Sequence, residues 1–173
     1  MRTDKLAPED QALREFIADL FGALSVMRIL RRQIALTLAL SSAQLSVLLG
    51  VWHLQRGSTP TVKAIADHLH VAAAHVTAEI GTLVEAGLLA KKVDPRDKRA
   101  VAIALTREGR DLFRRIIPML REINDQLFAG TSYKDMMLVR RLLGAIISHG
   151  PAALRVTDAH MRAQSPGSVS RVS

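Results

Sequence analysis

The sequence predicts a mainly α chain with one short β-hairpin set between helices, and three observations lead there. Apolar residues recur every three or four positions over long stretches near both ends, the spacing of one helix face. Leu, Ala and Arg dominate while β-branched runs are sparse, a composition that favours helices. Two short runs, 88–93 and 100–105, break that spacing and flank a charged turn.

The first helix follows from Leu13, Phe16, Leu20, Leu24, Met27, Leu30, Ile34 and Leu38, which form one long apolar stripe. Pro8, Glu9 and Asp10 suit its first turn, where a fixed φ and negative charge are both favoured. Ser41 and Gln44 have the spacing of a capping box for a second helix, expected to run to about Arg56. Gly57-Ser58-Thr59-Pro60 ends it, and Thr61 caps a short third helix through Leu69. After a turn at His70-Val71, a fourth helix spans about Ala72 to Ala86 and stops at Gly87.

The two strand-like runs are joined by Asp94-Pro95-Arg96-Asp97-Lys98-Arg99, a hairpin with a charged tip. Thr106-Arg107-Glu108-Gly109 opens a fifth helix with Leu112, Ile116, Met119, Ile123 and Leu127 on its stripe. Pro118 is expected to kink it, because proline removes a donor and crowds the preceding turn. A last helix is expected from Tyr133 to His149, with the Ser/Gly-rich end beyond Gln164 disordered. The expected boundaries are an N-terminal helix over 1–40, a central lobe over 41–105, C-terminal helices over 106–150 and a tail over 151–173.

Composition narrows the function. With 173 residues the chain suits one ordinary domain, and with 49% hydrophobic but 3% aromatic residues its core must be largely aliphatic. The absence of cysteine removes disulfides, thiolate-bound zinc, a cysteine nucleophile and thiol redox sensing. MRTDKLAPEDQ lacks the apolar centre of a signal peptide, so a cytoplasmic protein is expected. Gln33 to Gln55 carries no formal charge, yet Ser41, Ser42, Gln44 and Ser46 interrupt it, and a turn suits them better than lipid. No membrane partner is expected.

Net charge is +8, which raises the prior for a polyanionic partner. The excess lies mainly in residues 106–173, with 11 basic and 6 acidic side chains, against 6 and 5 in residues 57–105. Charge alone is therefore a weak pointer to the lobe. No glycine-rich phosphate loop, nucleophile elbow or metal-ligand spacing is present, and Glu79 and Glu85 lie too far apart on one helix to converge. No enzyme activity, catalytic residue or cofactor is expected.

Residues 61–105 hold the informative pattern: short helix, tight turn, second helix, charged hairpin. These are the parts of a winged helix-turn-helix, whose second helix enters the major groove while the wing offers cations to phosphates or the minor groove. LSSAQLSVLLGVWHL and then VKAIADHLHVAAAHVTAEIGTLVEAGLLAKKVDPRDKRAVAIALTREGRDLF resemble the MarR family over about residues 20–147, the wing DPRDKRA and LTREGR most specifically. The resemblance implies a bacterial regulator that binds double-stranded DNA at a palindromic operator. It implies an obligate homodimer through long N- and C-terminal dimerisation helices, and a pocket for a small-molecule effector between those helices and the lobe. Family effectors of this kind are often aromatic carboxylates or their thioesters.

By analogy with the family wing, Arg96 and Arg99 contact DNA, with Lys98 beside them and Asp94 and Asp97 bracing the loop. Two arginines three residues apart suit a narrow minor groove, where the potential is most negative. Taken alone, the same run reads as a solvated charged turn. On the recognition helix Ala72-Ala73-Ala74-His75 stands where the family usually has Ser, Thr, Arg or Lys, and the missing cap costs about 1 kcal/mol. His75, Thr77 and His70 remain as readers of base edges, with Lys63 counted in the same set, and alanines suit thymine methyls. Weak specificity, or specificity drawn from the wing and DNA shape, is the equal alternative.

Arg28, Arg31 and Arg32 share one side of the first helix and suit a ligand's carboxylate or phosphate. A solvated face or an interface ion pair is the plainer account. Trp52 and His53 lie near the family's pocket region, although a lone Trp in an apolar helix is usually core. His68, His70 and His75 fall close together, but without Cys or a spaced carboxylate they make a poor zinc set. Two functions stay open, a ligand-responsive repressor and a non-specific or architectural DNA-binding protein on the same fold.

Overall fold

The computed structural model describes residues 8–55, 59–93 and 101–164. Among them are six helices and one two-stranded sheet, in the order α1 (Pro8–Thr37), α2 (Ser42–Leu54), α3 (Val62–Leu69), α4 (Ala73–Glu85), β1 (Leu89–Val93), β2 (Val101–Leu105), α5 (Arg107–Leu127) and α6 (Tyr133–Gln164). The chain forms two compact units, Met1–Ile117 and Pro118–Ser173.

In the first unit, α1 opens with Glu9 and Asp10 in its first turn, where their charge meets the unpaired amides. The chain then turns at Leu38 and Ala39, and α2 leaves at 90° to α1. Its start is the capping box read from the sequence. Ser41 Oγ accepts from the Gln44 amide at 3.0 Å, and the Gln44 side chain accepts from the Ser41 amide at 2.9 Å. The uncharged stretch is thereby split between two helices. Among the described residues no single helix is long and apolar enough to cross a membrane.

α2 packs against α1, α3, α4 and β2. Leu45, Leu48 and Val51 of α2 are buried, as are Ile65 of α3, Val76, Ile80 and Leu83 of α4, Leu89 and Ile103 of the hairpin, and Phe113 of α5. Each such side chain contributes about 1.5–3 kcal/mol of transfer free energy. β1 and β2 pair antiparallel from Leu89↔Leu105 to Val93↔Val101. The far edge of β2 is held by the segment before α3, through Ile103 N–H to Pro60 O at 2.8 Å and a bridge between Thr61 and Ala102.

Two glycines are dictated by geometry. Gly87 has φ +73° and closes α4, with its amide bonded to Val84 O and that of Leu88 bonded to Leu83 O. Gly109, in the first turn of α5, lies so close to the α4–β1 turn that a Cβ would stand 2.3 Å from Leu88 O. Thr106 closes the same junction. Its hydroxyl donates to Gly87 O at 2.6 Å and accepts from the Gly109 amide at 3.0 Å.

In the second unit, Ser132 and Asp135 cap α6 reciprocally, Ser132 Oγ accepting from the Asp135 amide and Asp135 Oδ2 from the Ser132 amide, both at 3.2 Å. The Ser132 hydrogen bonds hold the Asp135 carboxyl below the usual carboxylate range. α6 corrects one expectation. It does not end at His149 but continues through Pro151 to Gln164. Proline costs a helix interior about 3 kcal/mol. The run AALRVTDAHMRA that follows is rich in Ala, Leu, Met and Arg, strong formers that offset it. No described side chain beyond Ile117 is buried.

Candidate nucleic-acid interface

α3 and α4 form the helix-turn-helix. Thr61 caps α3, its hydroxyl accepting from the Ala64 amide at 3.2 Å. α3 ends on His70, which takes the left-handed conformation (φ 55°) so that the amides of His70 and Val71 reach Asp67 O and Ala66 O. That conformation puts the turn between the two helices and leaves the His70 side chain exposed.

α4 buries Val76, Ile80 and Leu83, four and three residues apart, against the lobe. Its first two turns present Ala73, Ala74, His75, Thr77 and Ala78 to solvent. Ala72 has the extended backbone of an N-cap but makes no side-chain cap bond, as its identity predicts. Thr77 Oγ1 donates to Ala73 O at 2.9 Å and keeps its lone pairs free to accept. His70, His75 and Thr77 are thus exposed on one helix-turn-helix. Lys63 is paired with Asp67 at 2.7 Å, and both side chains are largely exposed, so the pair is weak.

The wing expectations fall on Asp94, Arg96, Asp97, Lys98 and Arg99, which lie outside the described residues. Sequence reading passed over two cations of β1, Lys91 and Lys92, both exposed on the strand that leads to the wing. Their lysine pair was the available signal.

Three of the five ligand candidates have side-chain partners, each in a different place. Arg31 Nη1 donates to Ser46 Oγ at 3.2 Å, linking α1 to α2. Arg28 and Arg32 are exposed, with no hydrogen bond or ion pair among the described residues. Trp52 is half-buried and stacked on Phe113, ring centroids 4.5 Å apart, as a core tryptophan would be. His53 stacks on His68 across α2 and α3 at 5.1 Å. His68 is largely exposed, yet partial desolvation against its neighbours lowers its pKa below the ordinary imidazole value, and nearby His53 and His70 lower it further. Among the described residues no group of three or more His, Cys, Asp or Glu side chains forms a metal-binding cluster.

A capped first helix, a turn, a second helix with a bare outer face and a hairpin bound to both define a winged helix. A family model described as a winged helix DNA-binding domain matches residues 42–109, which contain all four parts. Residues 42–109 match that domain, and the chain's fold is similar to that of solved MarR-family structures.

One such structure is the MarR regulator from Oenococcus oeni PSU-1, 16% identical, covering 77% of this chain and 98% of its own, with a TM-score of 0.67. A second is the S. aureus MepR–DNA complex, 22% identical, covering 75% and 92% at a TM-score of 0.62. A third is BpsR of Bordetella bronchiseptica, described by the regulation of its DNA binding by 6-hydroxynicotinic acid. It is 22% identical and covers 84% and 96% at a TM-score of 0.57. No curated protein matches the chain.

Proposed function

We propose that this chain is a sequence-specific DNA-binding transcriptional regulator of the MarR type, a cytoplasmic homodimeric repressor released from a palindromic operator by a small-molecule effector. The observation that carries the reading is the outer face of α4. From Ala73 to Ala78 it offers small side chains, His75 and Thr77, and no carboxylate, so the helix can approach base edges closely. Lys91 and Lys92 stand on the strand leading to Arg96, Lys98 and Arg99, and this run of cations suits phosphates and a narrow minor groove.

Dimerisation is supported by unsatisfied apolar surface. Among the α1 residues whose side chains are described, only Ala35 is buried, while Phe16, Ile17, Phe21 and Leu24 are exposed. α6 exposes Leu138, Leu142, Ile146 and Leu154, and none of its described side chains is buried. Isolated helices depend on tertiary packing for most of their stability, so both faces call for a partner. The effector is an aromatic carboxylate or its thioester. Arg28, Arg31 and Arg32 supply the anion-binding group, and the aromatic acid that regulates BpsR supports the class.

The alternative of non-specific binding draws on the same alanines, which donate nothing to base edges. Selection of binding duplexes from a random pool separates the two. A regulator enriches a palindrome with half-sites about one helical turn apart. A non-specific protein enriches nothing, and its binding only falls as salt rises.

A further inference from the structure

The rotation of α4 about its axis is fixed by Val76, Ile80 and Leu83, which turn inward to the lobe. At about 100° per residue, Ala74 and Ala78 then stand on the side opposite Val76, with His75 and Thr77 on its two flanks. All four are exposed. The helix thus carries methyl groups along its crest and one polar side chain on each shoulder.

The two polar groups have opposite hydrogen-bonding character. The hydroxyl hydrogen of Thr77 is engaged by Ala73 O at 2.9 Å, so its oxygen faces outward as an acceptor. His75 has no hydrogen bond or ion pair among the described residues, and an imidazole carries an N–H in either tautomer. Ala73, Ala74, Val76 and Ala78 offer no polar side-chain atom, so His75 is the donor of this stretch. Glu79, one turn further along the same shoulder, is half-buried.

In the major groove guanine offers two acceptors, N7 and O6, and no donor. Adenine sets an amino group beside its N7, cytosine offers an amino group alone, and thymine has a methyl group beside its one acceptor. A lone donor matches guanine best.

We propose that His75 is the specificity-determining residue of α4 and donates to a guanine in each half of the operator. The inference rests on the DNA-binding reading above and adds the base that the helix selects. Duplexes are selected from a random pool with wild type, His75→Ala and Thr77→Val. Each protein is then titrated with the wild-type duplex and with copies in which one G·C pair of the half-site is reversed to C·G.

Wild type is expected to select a guanine whose reversal weakens binding about tenfold. His75→Ala is expected to bind the original and reversed duplexes within about twofold and to keep its other base preferences, whereas Thr77→Val keeps the guanine preference. His75 is exposed and unpartnered among the described residues, so both variants are expected to melt as wild type does. A guanine preference that survives in His75→Ala overturns the inference. So does its equal loss in Thr77→Val, or an even loss at every position in His75→Ala, either of which marks a merely structural role. A wild type that enriches a palindrome without such a guanine sinks this inference alone. A wild type that enriches nothing sinks the DNA-binding reading with it.

Discussion

The indole of Trp52 lies face to face with the ring of Phe113, centroids 4.5 Å apart and planes 12° from parallel. Phe113 is fully buried and Trp52 half-buried, so the pair joins α2 to α5 at the edge of the core. Phe113→Ala is expected to cost about 3–5 kcal/mol, read as a lower denaturant midpoint. Trp52→Phe keeps an aromatic face and is expected to cost about 1 kcal/mol. Equal losses in the two variants would mean that the stack is not what joins the helices.

Gly109 is expected to tolerate no side chain. In Gly109→Ala the new methyl meets the Leu88 carbonyl, a main-chain atom that cannot swing aside, and destabilisation of about 1–3 kcal/mol or more follows. Gly81 is the control. It lies in α4 with nothing within 4 Å of its would-be Cβ, so Gly81→Ala is expected to stabilise by about 0.5–1 kcal/mol. Thermal unfolding of the two variants beside wild type checks both signs.

Ala72 sits in the extended conformation of an N-cap without a capping oxygen. Ala72→Ser supplies one and is expected to raise stability by about 1 kcal/mol in chemical denaturation. A neutral result would mean that the backbone there cannot bring the hydroxyl to the amides of α4.

His68 is expected to make the fold slightly sensitive to acid. Its pKa is lowered by partial desolvation and by His53 and His70, so the unfolded chain takes up a proton more readily than the folded one. The stabilisation is full above about pH 6.5, the unperturbed value, and is lost as pH falls through the lower folded-state value. Melting temperature is expected to fall with acidification in wild type and less steeply in His68→Gln. Parallel curves would remove His68 from the account.

The element order was legible because most helix ends of the lobe are announced chemically, by Ser41 and Gln44, Thr61, and Gly87, where the structure uses them; the start of α4 at Ala72 carries no such signal. The end of α6 was not. Gly150-Pro151 is an ordinary stop signal, and the helix propensity of the residues beyond it carries the chain through. At the site, the exposure of His75 and Thr77 followed from the 3.6-residue period that buries Val76 and Ile80. The partners of Trp52 and His53 did not, because each lies fifteen or more residues away in sequence, beyond the reach of local pattern.

The central claim is that α3, α4 and the wing read a DNA sequence, and the affinity ratio between the selected duplex and a shuffled duplex of the same composition tests it most directly. The account predicts a ratio of about 1,000 or more at physiological salt, with two chains bound per duplex. Equal affinity for the two duplexes, falling together as salt rises, would contradict it.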